Sequence, residues 1–228
     1  MQHLAIIPDG NRRWAKKHML ETVFGHRRGM EVVRAAINVC IKNGVKYLSF
    51  YTFSLENFRR PELEKNYLFN LLINEFPRNL PELIEQGVRV CFIGDREKFP
   101  EVMQEAVTRL EEQTKHLSTL QINLLFCYGA TAEIVQAVQA IAQKVKDGLL
   151  AVSDITEDTV QASLWTAGIP NPDLIIRTGG VMRLSNFLLM QAAYSEFMFL
   201  EDYWPDMTEE RLERCLVKFN ETQRNFGH

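Results

Sequence analysis

The run His3-Leu4-Ala5-Ile6-Ile7 passes directly into Pro8-Asp9-Gly10-Asn11-Arg12-Arg13-Trp14, so a short apolar segment ends in a polar, glycine-bearing turn rich in cations. A short apolar run bounded by turn residues reads as a buried strand. The pattern repeats along the chain. Apolar runs recur at KYLSFYTF (46–53), VRVCFIG (88–94), LQINLLFC (120–127) and DLII (173–176), and segments of helical period run from Met30 to Ile41, Pro61 to Glu85, Glu101 to Thr114 and Ala132 to Val145. This alternation predicts an α/β fold with a mostly parallel central sheet flanked by helices, because parallel strands need crossovers and the crossovers bury both faces. No linker, repeat or low-complexity stretch interrupts it, so one domain spanning residues 1–228 is expected.

In open parallel sheets ligands bind beyond the carboxyl ends of the strands. The residues at those positions are polar and specific: Pro8 to Arg13, then Ser54-Leu55-Glu56-Asn57-Phe58-Arg59-Arg60, Gly94-Asp95-Arg96, Tyr128-Gly129, and Arg177-Thr178-Gly179-Gly180. Glu196 precedes the apolar run FMFL, falls outside this rule, and needs a loop to bring it in. Arg177, Arg183, Arg60 and Arg13, with the backbone amides around Gly10 and Gly179, suit a diphosphate, since guanidinium pairs bidentately with phosphate oxygens. A carboxylate at Asp9 among these cations stays ionised and is able to hold a hard cation against the phosphates. Each residue taken singly has an ordinary reading as well: Asp9 as a helix N-cap, the arginines as solvated faces, His26 as a satisfied imidazole, Trp14 as a core aromatic or as a lid over a guanidinium. The weight lies in five strand ends agreeing.

The segments Ile6 to Ala15, Gly25-His26-Arg27-Arg28-Gly29, Phe53 to Pro61, Ile93-Gly94-Asp95, Tyr128-Gly129, Ile176 to Gly180, Arg183 to Leu189, Tyr194-Ser195-Glu196, Trp204-Pro205-Asp206 and Phe226-Gly227 resemble, in order and end to end, the motifs of the cis-prenyltransferases. The resemblance implies a magnesium-dependent enzyme that condenses isopentenyl diphosphate onto an allylic diphosphate such as farnesyl diphosphate, with undecaprenyl diphosphate, the carrier lipid of cell-wall synthesis, as the product. It implies Asp9 as catalytic aspartate and Mg2+ ligand, with Glu196 supporting the metal, and Asn57 near the reacting carbons. Gly10, Asn11, Arg12, Arg13 and Arg60 are implied at the allylic diphosphate, and Arg177, Arg183 and Ser185 at the isopentenyl diphosphate. Trp14, His26, Ser54, Leu55, Glu56, Phe58 and Leu184 complete the implied substrate-binding set. A homodimer is implied too, its C-terminal segment reaching toward the partner's site.

The apolar residues Leu63, Tyr67, Leu68, Leu71, Leu72 and Phe76 share one helix face, and Met30, Val33 and Ile37 another. Plain core packing accounts for most of them, while the resemblance places a product tunnel between two such helices and the sheet, with Leu120 and Leu72 as candidates for its closed end.

Composition bounds the alternatives. Twenty-six basic against 29 acidic residues, a formal charge of −3, leave no global attraction to nucleic acid. Cys40, Cys91, Cys127 and Cys215 show no CxxC pair and read as buried thiols of a reducing compartment; the five histidines show no zinc spacing. The first apolar run breaks at Asp9, which leaves no signal-peptide core, and no run approaches the roughly 18 residues of a membrane span. A cytoplasmic protein is expected, with peripheral association at the inner membrane face for product release. Several positions depart from the commonest family form: Arg12 for glycine, Thr22 for arginine, Phe58 for tryptophan, Cys127, Ala130 and Thr131 around Tyr128-Gly129, and Val181 for glutamate. Arg12 and Thr22 read as one cation gained where another is lost. A short-chain or branching enzyme, and a non-catalytic partner subunit, are the competing readings.

Overall fold

The computed structural model describes residues 1–221, apart from the side chains of Phe76 and Pro77. Six strands, β1 (His3–Ile7), β2 (Tyr47–Ser54), β3 (Val88–Ile93), β4 (Leu120–Tyr128), β5 (Leu174–Arg177) and β6 (Glu196–Phe199), form one sheet in the order β3-β4-β2-β1-β5-β6. Every adjacent pair is parallel, as the β-α rhythm predicts. The helices are α1 (Asn11–Lys17), α2 (Thr22–Lys42), α3 (Glu62–Glu85), α4 (Glu101–Thr114), α5 (Ala130–Lys146), α6 (Glu157–Gln161) and α7 (Glu209–Glu221). One apolar cluster packs α2, α3, α4 and α7 on a face of the sheet, and a second, around Leu125, Tyr128 and Phe187, includes Ala130 of α5 on the other. Both faces are covered, which is why the strands read as continuous apolar runs rather than alternating ones.

Two helices depart from the sequence pattern. Helix α1 follows Gly10, whose φ of 104° is open to glycine at little cost, and turns the chain immediately after Asp9. Helix α2 begins at Thr22, eight residues before Met30, so the Gly25-His26-Arg27-Arg28-Gly29 motif is helical. Its glycines are there for close approach. A Cβ on Gly25 would lie 2.1 Å from the Asn11 carbonyl oxygen, and one on Gly29 would lie 2.6 Å from Asn11 Oδ1. Apolar periodicity does not register such residues, since they contribute closeness and not apolar surface.

At the amino end of the sheet a buried polar chain crosses three strands. His3 Nδ1 lies 2.6 Å from the Pro170 carbonyl, which only accepts, so Nδ1 carries the proton and Nε2 accepts from Ser49 Oγ at 2.7 Å. Asn123 Nδ2 donates to the same hydroxyl at 3.0 Å, and Gln121 Nε2 to Asn123 Oδ1 at 2.8 Å. Burial pushes the His3 imidazole down to about 4, against the pull of the Pro170 carbonyl and Asp173. The unfolded chain therefore takes up this proton more readily than the folded one. Stability from His3 is full above about pH 6.5 and is lost as pH falls toward 4, by roughly 3 kcal/mol. Thermal melts across that range are expected to show the loss, and His3→Gln to flatten the slope between pH 6.5 and 5; an unchanged slope would place the acid sensitivity in the carboxylates.

Candidate active site

Strand β1 ends at Ile7, paired in register with Arg177 at the end of β5, so the two adjacent strands deliver Asp9 and Arg177 to one place. Arg177 is 4% exposed. Its Nη2 donates to Asp9 Oδ2 at 2.8 Å and its Nη1 to Ser185 Oγ at 2.8 Å and to the Arg183 carbonyl. Asp9 Oδ1 accepts from Gly10 N at 2.6 Å and from Arg13 Nη2 at 3.2 Å. Thr178 holds the Asp9 backbone from both sides, its Oγ1 accepting from Asp9 N at 2.9 Å and donating to Asp9 O at 2.7 Å. Burial pushes the Asp9 carboxyl up, but Arg177, the Gly10 amide and Arg13 together hold it below the usual carboxylate range.

Two clefts share this carboxylate. One, of about 960 Å³, is walled by Gly10, Arg12, Arg13, Lys16, Thr22 and Arg60; the other, of about 700 Å³, by Ser54, Glu56, Asn57, Arg177, Arg183 and Ser185. Asp9 and Arg60 stand in the walls of both, and Arg12 and Arg13 are confined to the first, Arg183 and Ser185 to the second. Pro8, Asn11 and His26 belong to both clefts and also to an apolar cavity of about 80 Å³, enclosed by Met30, Val33, Leu68, Leu71, Leu72 and Leu124 between α2, α3 and the sheet. Asn11 Oδ1 is buried without a hydrogen-bond partner at this junction, where His26 Nε2 faces the Glu64 carboxylate.

Other residues act as supports. Glu64, absent from the sequence reading, gathers the cations of the first cleft: its Oε1 accepts from Arg60 Nη1 at 3.1 Å and lies 3.5 Å from His26 Nε2 and 3.9 Å from Arg12 Nε. His26, then Arg60 and Arg12, hold the Glu64 carboxyl below its ordinary range against its burial. The four-residue spacing from Arg60, which stands just before α3, was the available signal. Asn57 Oδ1 accepts from Ser54 N at 3.2 Å, closing a short turn (Leu55–Arg59) after β2.

Several expected contacts are not made. Trp14 Nε1 donates to Asp206 Oδ1 at 2.7 Å and its ring lies 4.3 Å from His18, so it pins α1 to the Trp204–Asp206 turn and lines neither cleft. Phe58 stands edge-on to Phe53 at 5.2 Å, Leu55 packs on the main core and Leu184 on the second. Glu196 pairs with Leu174 at the start of β5, three residues or about 10 Å of strand rise from the Arg177 end. Within one chain it does not reach Asp9, because no loop reverses that direction. Leu63 is 87% exposed, and Leu120, at the amino end of β4, does not line the apolar cavity; Leu124, four residues or about 13 Å of strand rise nearer the clefts, does. Phe226 and Gly227, and the Phe76 side chain, lie outside the described residues.

A family model described as "Putative undecaprenyl diphosphate synthase" matches residues 7–227. The chain belongs to that family. Among its relatives is an isoprenyl transferase of Clostridium perfringens, 43% identical over 226 residues that cover 99% of this chain and 89% of that protein. The ditrans,polycis-undecaprenyl-diphosphate synthase, (2E,6E)-farnesyl-diphosphate specific, of Micrococcus luteus is 43% identical over 229 residues, 99% of this chain and 91% of that one. Lavandulyl diphosphate synthase from Lavandula x intermedia, solved with dimethylallyl diphosphate, superposes with a TM-score of 0.96 at 33% identity, covering 100% of this chain and 98% of that one. As a family member the chain is a prenyltransferase with the six-stranded parallel sheet of the cis-prenyltransferases.

Proposed function

We propose that the chain condenses isopentenyl diphosphate onto an allylic diphosphate, farnesyl diphosphate in the first instance, and extends it with cis double bonds to a long polyprenyl diphosphate of the undecaprenyl class. The observation that carries this reading is the junction at Asn11 and His26, where two cation-walled clefts meet an apolar cavity. Two diphosphates and one hydrocarbon tail are what such a shape accommodates.

In this reading Arg12, Arg13 and Arg60, beside the Gly10 turn, grip the allylic diphosphate in the first cleft, and Arg177, Arg183 and Ser185 orient the isopentenyl diphosphate in the second. The allylic C–O bond breaks with its electron pair going to the diphosphate, where the guanidinium groups stabilise the growing charge from fixed positions. The isopentenyl double bond attacks the allylic carbon, and a proton leaves to form the new cis double bond. Asn57 is unsuited to take that proton: a neutral amide is a weak base, and its Oδ1 is already engaged by Ser54 N. Its Nδ2 instead holds a water or a diphosphate oxygen that accepts the proton.

Magnesium fits the donor set around Asp9. Among the described residues no three His, Cys, Asp or Glu side chains gather into a protein-only metal site. Mg2+ characteristically needs no such cage, binding one or two carboxylates together with substrate phosphates and water. Asp9 accepts three hydrogen bonds on its two oxygens, which leaves room for a monodentate contact. When bound, the ion would neutralise diphosphate charge as the leaving group departs. Glu196 has no part in this one-chain proposal.

The apolar cavity, only about 80 Å³, also favours a second reading, a short-chain or branching product, since it cannot take a long tail until α2 and α3 part. Incubating the protein with farnesyl diphosphate, labelled isopentenyl diphosphate and magnesium, then sizing the products, tests both. Long polyprenyl diphosphates are expected; a single condensation would select the second reading, and no turnover would leave a partner subunit. Leu72→Ala is expected to shift the products longer if the cavity wall limits growth, at a stability cost of roughly 2–5 kcal/mol to be checked by melting first. An unchanged distribution from the folded variant would put the limit elsewhere.

A homodimer belongs to the same proposal. Strand β6 is a sheet edge carrying Phe197, 40% exposed, which a second copy would cover. Among the described residues no helix is long and apolar enough to cross a membrane, and release of an apolar product is proposed to take place at a membrane surface.

A further inference from the structure

Between Arg183 and Leu188 the backbone is wound in a sense that side-chain-bearing residues seldom adopt: φ is 53° at Ser185, 67° at Asn186 and 45° at Leu188. Such conformations persist only where the surroundings over-determine them, and asparagine is the one residue of the three that enters the left-handed region readily. Its surroundings are specific. The Asn186 carbonyl accepts from Ala130 N at 2.9 Å and its Oδ1 from Thr131 N at 2.9 Å, so the first two amides of α5 are both spent on this residue. Its Nδ2 donates to Glu56 Oε1 at 2.9 Å and to Thr131 Oγ1 at 3.1 Å. Both amide hydrogens are thus engaged within the protein, although the residue borders the second cleft.

Two elements outside this loop, the start of α5 and the turn after β2, are tied through Asn186 to the segment that carries Arg183 and Ser185. The immediately preceding residue is the one whose hydroxyl accepts from Arg177 at 2.8 Å and from Arg183 Nε at 3.1 Å, while Tyr51 Oη donates to its carbonyl at 3.2 Å. A loop wound this way, released from its clamp, would relax toward ordinary backbone angles and turn the Ser185 hydroxyl out of reach of both guanidinium groups. We infer that Asn186 is a positioning residue for the isopentenyl-diphosphate cleft, holding the Arg183–Ser185 loop in its binding geometry by clamping it to the α5 amino terminus and to Glu56. This inference rests on the proposed function for its substrate, and on the hydrogen bonds alone for the clamp.

The test has a kinetic and a structural arm. Asn186→Ala is expected to raise KM for isopentenyl diphosphate about tenfold or more while KM for the allylic diphosphate stays within about twofold. Asn186→Gly keeps the left-handed backbone open but lacks the side chain, and should be as impaired; full recovery in the glycine variant would show that backbone conformation suffices and overturn the clamp. Asn186→Asp sets a carboxylate against Glu56 and should be impaired, and adding Glu56→Gln, which supplies a donor, should restore most of the affinity. Equal effects on both substrates, or none, would overturn the inference. Amide hydrogen exchange reads the clamp without turnover: Asn186→Ala should speed exchange across residues 183–188 and at Ala130 and Thr131, and unchanged exchange would sink the clamp. Faster exchange combined with an Arg183→Ala variant that does not discriminate the two substrates would uphold the clamp and remove the substrate assignment instead.

Discussion

Asp9→Asn is expected to lower kcat by about a thousandfold or more, equivalent to roughly 4 kcal/mol of barrier, with a smaller fall in melting temperature than Asp9→Ala. Asparagine is the informative replacement because it keeps the shape and an acceptor for Arg177 Nη2, now 2.8 Å from Asp9 Oδ2, while removing the charge that would hold magnesium. Asp9→Ala asks a different question. The Arg177 side chain is 5% exposed, and stripping its counter-charge leaves a buried guanidinium dependent on Ser185 and the Arg183 carbonyl, at a cost of about 2 kcal/mol or more of stability. An alanine variant that loses activity by misfolding would say nothing of chemistry. Chelation of magnesium should reproduce the asparagine phenotype in the wild-type protein. Retention of more than about a tenth of wild-type turnover by Asp9→Asn would take Asp9 out of the reaction.

Arg183→Ala should raise KM for isopentenyl diphosphate by about 10- to 100-fold and leave that of the allylic substrate within about twofold, as expected for losing one or two charge-assisted hydrogen bonds worth roughly 1.5–3 kcal/mol. Its guanidinium lies only on the second cleft, with Nε 3.1 Å from Ser185 Oγ, and the residue is exposed, so folding should be unaffected. The two clefts share Asp9, Asn11, His26 and Arg60, and it is the unshared residues that separate the substrates. Equal changes in both KM values would collapse the two-cleft assignment.

The departures at Arg12 and Thr22 gain a geometric setting from the first cleft, whose wall both residues share. Arg12 is mostly exposed there, with Glu64 as its carboxylate neighbour at 3.9 Å, so a cation introduced at the glycine position faces the same space from which an arginine at position 22 is missing. Nothing in the structure accounts for Val181.

What could be read from residues alone follows from one rule, that parallel strands carry their ligands at their carboxyl ends. Asp9, Ser54, Asn57 and Arg177 were visible because each directly follows or closes an apolar run, and strand direction is set by the crossover helices. Glu196 shows the same rule from its other side: it opens a strand, and the parallel pairing with β5 leaves it at the far end. Folding settled what depends on how closely elements approach. Periodicity assigned Leu68, Leu71 and Leu72 to one helix face, but the volume left between α2, α3 and the sheet is a property of three surfaces together, and so Leu124 lines the cavity while Leu120 does not. Trp14 and Phe58 are turned away from the clefts by partners at Asp206, far along the chain, and Phe53, near the end of β2 itself. The left-handed angles at Ser185 and Leu188, unlike that at Asn186, have no signature in residue type; they exist where contacts from α5 and the Glu56 turn outweigh the intrinsic preference of the backbone.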